Sequence, residues 1–313
     1  MKKKTKDALI NILLVLVFII GLGLFLYPTI SDIYGKYRDS KLIKTYKREY
    51  KSLSAEMKQE EFDKAVAYNN SLINSSIVNG AQYKDRTEDS EKELYESLLN
   101  LSQSSIMGYI DIPSIAVTLP LYHWSTDSVL NKGVGHIHGS SLPVGCGVSP
   151  EEEGYNTIHG SHCAFIAHRG LPSSKLFSDL DEMKTGDMFY INILGNVLAY
   201  KVYEVEIVLP TEVENLKIEH GKDLVTLITC TPYGVNTHRI LVKGERVEYK
   251  GETTTAPMSK VIKKTVDPKT VAGLGLMAFG IFFILYNKKQ KKKRKLKNTA
   301  AEEIKENHND EET

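Results

Sequence analysis

Polar and apolar positions divide the chain into unlike stretches. Residues 8–27 are almost wholly apolar, a run long enough to cross a bilayer as a helix. Residues 31–74 are charged, yet Ile33, Tyr37, Leu42, Tyr46, Tyr50, Leu53, Met57, Phe62 and Val66 recur at spacings that fit one or two amphipathic helices. The tyrosines in that row are read as packing residues. Asn79-Gly80 marks a turn, and 90–101 reads as a further short helix. From Met107 onward the pattern changes to short β-branched and aromatic runs between turn signals. Segments 109–112, 116–119, 163–167, 188–193, 197–209, 224–229 and 239–249 are expected as strands, with short helices near 126–131 and 173–183. Strands of this number, joined by long loops, predict a barrel or a sandwich. A second apolar run, 271–286, lies near the end.

Charge sharpens the reading of the two apolar runs. The chain has 313 residues and a formal net charge of +1, room for one sizeable domain plus appendages. So even a balance gives no reason to expect a nucleic-acid partner. The charge is unevenly spread, however. Lys2, Lys3, Lys4 and Lys6 precede the first apolar run, a dense basic run at 288–297 follows the second, and 302–313 is an acidic, polar tail expected to be disordered. No small-residue cleavage site follows the first run, so it reads as an uncleaved anchor rather than a signal peptide. The second run is short enough for a buried core helix, but the lysine wall behind it favours a second span. The positive-inside rule then puts both termini in the cytoplasm and 31–269 outside. Lys260, Lys263, Lys264 and Lys269 weigh against that orientation and are outnumbered by the denser clusters. The expected organisation is a basic start and first span (1–30), an extracellular helical region (31–105), a β domain (106–250), a linker (251–269), a second span (270–287) and a cytoplasmic tail (288–313).

The chemistry centres on Thr226-Leu-Ile-Thr-Cys-Thr-Pro-Tyr-Gly-Val-Asn-Thr-His-Arg239. One β-rich run ends at Cys230, a turn follows, and the next run opens on Arg239. That places a thiol and a guanidinium at neighbouring strand ends. A basic neighbour favours the thiolate, the nucleophilic form of cysteine. A fixed guanidinium also stabilises the oxyanion that forms when a thiolate attacks a carbonyl. A cysteine nucleophile needs a proton carrier. His168 is the candidate, because an apolar run ends on it and a Gly-Leu-Pro turn follows. Each residue also has a plainer role. A lone cysteine is more often a small buried hydrophobe, His168 can be a strand-end histidine, and Arg239 a carboxylate partner for the fold. Arg169 reads as a solvated charge or a salt-bridge partner.

Taken together these segments resemble the class C, pilin-polymerising sortases. Thr226-Leu-Ile-Thr-Cys230 matches the family's Thr-Leu-x-Thr-Cys signature, and Cys230, His168 and Arg239 fall on its nucleophile, histidine and arginine positions. Met107-Gly-Tyr-Ile-Asp-Ile-Pro113, Lys132-Gly-Val-Gly-His136, Ser140-Ser-Leu-Pro-Val-Gly145 and His168-Arg-Gly-Leu-Pro-Ser173 match the subgroup in the same order. The resemblance spans roughly 108–247 and implies a mainly β fold, a closed eight-stranded barrel with N-terminal helices. It implies a cysteine transpeptidase without cofactor or metal. Its substrate would carry a Leu-Pro-x-Thr-Gly-like signal, and Thr229, Leu171 and Pro172 would contact it. The partners implied are the membrane, a pilin or other surface protein, and a lysine amine as acceptor. Cell-wall anchoring, thiol hydrolysis and a non-catalytic membrane-tethered scaffold are the alternatives. Class C members carry an Asp-Pro-aromatic lid before the barrel. Here the only Asp-Pro is Asp267-Pro268, so the lid is absent or built differently.

The chain has three cysteines, Cys146, Cys163 and Cys230. With Cys230 as nucleophile, Cys146 and Cys163 remain as a candidate disulfide. His159, His162 and Cys163 lie close in sequence, but no fourth ligand has zinc-site spacing. A loop whose histidines hold no metal is the preferred reading.

Overall fold

The computed structural model describes residues 3–72, 89–101, 106–145, 160–212 and 216–251, together with Gly273, Gly275 and Gly280. The chain forms two compact units, Met1–Lys260 and Val261–Thr313. In the second unit the three described glycines are helical. The rest of the expected second span, the segment 79–86 where a lid was sought, Cys146 and His159 lie outside the described residues.

The first unit opens with a helix longer than its sequence divisions. α1 (Lys3–Ser52) is one unbroken helix of 50 residues. It crosses the expected boundary at residue 30, so the apolar span and the first amphipathic helix are a single element. Along its apolar part the described side chains are largely exposed. Farther on, Gly35, Asp39, Ile43 and Tyr46 form the buried stripe, at the three- and four-residue spacing of one helix face. Ile33 and Tyr37, expected on the packing face, are exposed instead. The Tyr46 hydroxyl donates to the Met107 carbonyl and accepts from the Leu194 amide, both at 2.9 Å. α2 (Ala55–Leu72) begins where Ser54 Oγ accepts from the Met57 amide, a cap for one of the amides a helix start leaves unpaired. It buries Ala65, Tyr68, Asn69 and Leu72. α3 (Asp89–Ser97) inserts the fully buried Tyr95, whose hydroxyl lies 2.7 Å from His136 Nδ1.

The remaining elements are β1 (Ile106–Ile112), β2 (Val117–Tyr122), a one-turn helix α4 (Asp127–Leu130), β3 (Val134–His136), β4 (Ser161–Ile166), β5 (Met188–Ile193), β6 (Asn196–Val208), β7 (Asp223–Thr231) and β8 (His238–Val247). The strands close into a barrel in the order β1-β2-β3-β4-β7-β8-β6-β5. The β2–β3 and β4–β7 pairs are parallel, and the others antiparallel. Met107, Ile110, Phe165, Phe189, Tyr200, Val225, Leu227 and Val242 belong to the core inside it.

Two expectations need correcting. β3 carries no sequence signal because it is three residues long. Gly135 within it allows the Trp124 carbonyl to approach: a Cβ there would come within 2.5 Å of that oxygen. Residues 173–183, expected as a helix, contain only a 3-10 turn, Leu180–Glu182. Leu176 has φ +39, which a right-handed helix does not accommodate.

β7 sits at the centre of the arrangement. Val225 and Leu227 point into the barrel, while Ile228 packs outside it with Ile137, Ala164 and Leu241. A strand covered on both faces reads as a continuous apolar run. That is the pattern of Leu224-Val-Thr-Leu-Ile228.

Candidate active site

The site lies where β4, β7 and β8 end together. In the antiparallel β7–β8 pair Cys230 stands opposite Arg239. Side chains alternate faces along a strand, so Cys230 and Arg239 share a face with Ile228 and Leu241, outside the barrel. On the other side of β7, parallel β4 pairs Ile166 with Ile228. The contact continues past the last ladder pair: the Ala167 amide donates to the Ile228 carbonyl at 3.2 Å, and Thr229 Oγ1 donates to the Ala167 carbonyl at 2.8 Å. One further step of the same register puts His168 at the level of Cys230, on the face of Ala164 and Ile166. Val208 of β6 pairs with Arg239 and completes the row. His168, Cys230, Arg239 and Val208 thus come from four neighbouring strands in barrel order.

An apolar floor lies beneath them. Ile137, Ala164, Ile228 and Leu241 are buried, with Ile166, Val208 and Leu216 half-buried against them. Leu216, beyond the end of β6, covers one side of the floor. Cys230 itself is half-buried. Its neighbour Thr229 faces the opposite way, fully buried. This corrects the reading of Thr229 as a substrate contact. Its hydroxyl is spent on the Ala167 carbonyl, because alternate residues of a strand point to opposite faces.

Two guanidinium groups lie at these strand ends. Arg239 donates through NH1 to the Asn236 carbonyl at 3.1 Å and the His238 carbonyl at 3.0 Å, so the β7–β8 turn holds it. Arg169, next to His168, is far from solvated: its side chain is 9% exposed. It donates to Thr231 Oγ1 at 3.1 Å and pairs with Asp181 at 2.5 Å. Its guanidinium also lies 5.9 Å from the centre of the Tyr233 ring. Of the two roles expected for Arg169, the salt bridge is the one found. Among the described residues no hydrogen bond engages the His168 ring, while its carbonyl accepts from the Phe177 amide at 3.2 Å. A thiol, a ring nitrogen and a held guanidinium on one face are the parts that acyl transfer through a thioester requires.

A Sortase domain model matches residues 110–247, the stretch that builds these strands. Sortase C1 from Streptococcus agalactiae is 38% identical, with a TM-score of 0.59, over 67% of this chain and 100% of that one. The chain belongs to the sortase family. Its structural neighbours are class C members. A second of them, sortase C-1 from Actinomyces oris, is 39% identical with a TM-score of 0.53, over 62% of this chain and 99% of that one. Sortase A from Bacillus anthracis is 28% identical over 172 residues, 55% of this chain and 74% of that protein. The protein is therefore a sortase transpeptidase with the closed eight-stranded fold, and the scaffold reading falls away.

The other sequence-predicted residues of this sortase are placed as follows. Leu171 is half-buried against the barrel core, and Pro172 is exposed on the same loop. Cys163 is a free thiol inside the core, and burial pushes its pKa well up. The proposed pairing with Cys146 falls outside the described residues. Both ring nitrogens of His162 are engaged, Nδ1 with the Lys217 carbonyl at 2.8 Å and Nε2 with Thr226 Oγ1 at 2.7 Å. Among the described residues no group of three or more ligands is arranged to hold a metal. Val208, Leu216 and Ile137 were missed as site residues. Their only signal is β-type alternation, which does not say which strands become neighbours.

Proposed function

We propose that this sortase cleaves a Leu-Pro-x-Thr-Gly-like signal between Thr and Gly and transfers the acyl group to a lysine amine of another pilin subunit. The observation that carries the reading is the Cys230–Arg239 cross-strand pair with His168 in register on the parallel strand. In the first half, Cys230 Sγ attacks the Thr carbonyl, and the C–S bond forms. Arg239 donates hydrogen bonds to the oxyanion. His168 gives a proton to the leaving Gly amine as the C–N bond breaks. In the second half the lysine amine attacks the thioester carbonyl and loses a proton to His168. The new C–N bond is an isopeptide, and the thiolate leaves as it began. Two steps of modest height replace one difficult exchange. The apolar floor suits the Leu and Pro side chains of the signal.

Anchoring is part of the proposal. The apolar part of α1 is the candidate span, with the run at 271–286 as a second and both termini cytoplasmic. Enzyme and membrane-held substrate would then meet at raised effective concentration.

Intact mass spectrometry of the full chain with a signal peptide, beside Cys230→Ala, tests the chemistry. A mass gain equal to the acyl fragment, absent from the variant, is the expected result. No gain with Cys230 still open to alkylation would overturn the assigned signal. Pilin alone should give a covalent ladder. A second reading, attachment to a cell-wall peptide amine, follows from the curated relatives named sortase A. It predicts no ladder without that amine.

A further inference from the structure

The loop that carries His168 is held from outside the barrel by α1. Ser31 Oγ donates to the Ser173 carbonyl at 3.0 Å, and the Lys175 amide donates to Asp32 Oδ1 at 3.0 Å. On the same side of the helix, a Cβ added to Gly35 would lie 3.6 Å from Ser174 Oγ, an ordinary contact distance, so helix and loop touch there. These α1 residues lie beside the exposed apolar positions of the helix, between Ile30 and Ile33, which are 60% and 54% exposed. At a rise of about 1.5 Å per residue, Asp32 lies only about 3 Å along the axis from Ile30.

The loop is pinned at its neck as well. Phe177 closes it through its amide to the His168 carbonyl, and the Gly170 amide donates to Ser178 Oγ at 3.1 Å. Residues 168–177 are thus fixed to themselves at the base and to α1 at the far side. The helix does not need this contact to dock. Ile43 and Tyr46 already secure it against Ile106, Tyr109 and Tyr122 of β1 and β2. The second attachment therefore acts on the loop rather than on the helix.

We propose that Ser31 and Asp32 are positioning residues for His168, so that the membrane end of α1 sets the place of the proton carrier. The proposal rests on the function assigned above in taking His168 for that role. It joins the anchor to the chemistry. A change of tilt or depth of α1 in the bilayer would reach the histidine through two hydrogen bonds. Displacing a catalytic group by about 1 Å is enough to cost on the order of a hundredfold in rate.

The test uses the full chain in detergent micelles, comparing wild type, the double variant Ser31→Ala with Asp32→Ala, and Asp32→Asn, which keeps an oxygen acceptor. Two readouts are taken: the rate of Cys230 alkylation against pH, mapped by mass, and kcat and KM for a signal peptide. The double variant should lose about tenfold or more in kcat with KM within about twofold. Its alkylation profile should also move along the pH axis, because the imidazole beside the thiol has shifted. Its thermal midpoint should stay close to that of wild type, and Asp32→Asn should recover most of the loss. An unchanged profile and unchanged kcat in the double variant would overturn the proposal. So would Asp32→Asn behaving as badly as the double variant, or a loss that merely follows the unfolded fraction. If wild type forms no acyl adduct, the assigned function fails, while the alkylation profile still reads the contact between α1 and the loop.

Discussion

The paired strands β4 and β7 have a histidine and a cysteine near each end, and only one end is built for chemistry. Near the start of β4 lie His162 and Cys163, opposite Leu224 and Val225 of β7 and each 2% exposed. At the end lie His168 and Cys230, both half-buried. Burial is the main cause of the first pair's inertness. It lowers the His162 pKa and raises that of Cys163, so both groups are held neutral. Both ring nitrogens of His162 are also committed. At the strand ends the ladder stops, solvent reaches the thiol, and a guanidinium stands opposite. The same two residue types are structural where the sheet covers them and reactive where it runs out.

Removing the cysteine at each end in turn should break this comparison most sharply. Cys230→Ala should remove acyl transfer entirely, a loss of at least about 10⁴-fold. Cys163→Ala should leave transfer by the folded protein intact and cost only about 1 kcal/mol of stability through a small cavity. Mass-detected adduct and a denaturant melt of each variant check both halves.

His168→Ala should lower kcat/KM by about 10² to 10⁴, the usual worth of a positioned acid–base group, with little change in melting. His162→Ala should do the reverse. It strands the Lys217 carbonyl and the Thr226 hydroxyl, at a cost of about 1–3 kcal/mol, while the surviving folded protein turns over normally. An equal loss of activity in both variants would erase the distinction between the two ends.

Arg239→Lys should cost about 10² to 10³ in kcat, because a point charge does not reproduce the planar donor fork. Arg239 is half-buried at the barrel end, so the melting midpoint should move little. Single-turnover acylation separates this from a binding defect.

The smallest effect concerns pH. Burial is also the largest cause of the depressed pKa of His136, lowered to about 3. A depressed histidine stabilises the fold fully above its unfolded value, near 6.5. That contribution is lost as pH falls from there through the folded value, because the unfolded chain takes up the proton first. His162 acts in the same direction. Asp223 acts oppositely: burial raises its pKa, so its carboxyl is easier to protonate in the folded state. The melting temperature should therefore fall between pH 6.5 and pH 4. A His162→Gln variant should show a shallower fall, and an unchanged slope would remove His162 from the account.

Much of the site was readable before folding. The continuous apolar run before Cys230, the turn residues Pro232 and Gly234, and the run opening at Arg239 set the hairpin and its pairing. His168 was readable as a strand-end residue because Gly170 and Pro172 stop the strand after it. Other features were not. β3 is too short to show a period, and Leu176 breaks the helix expected around it by adopting a backbone angle that no residue pattern announces. The unbroken run of α1 through residue 30 was hidden because polarity changes there while helical geometry does not.

The sequence by itself determined which residues form strands, where the apolar span lies, and which thiol, imidazole and guanidinium stand at strand ends. Those are local properties of side-chain period and turn chemistry. Tertiary structure decided that β4 lies parallel beside β7, which brings His168 to the level of Cys230. It also decided that Thr229 faces inward, that Arg169 is buried against Asp181, and that α1 touches the histidine loop. The contacts from Ser31 and Asp32 to that loop join residues 142 and 143 positions apart. Long-range packing fixes such neighbours, because an element's own pattern specifies its faces but not which other element covers them.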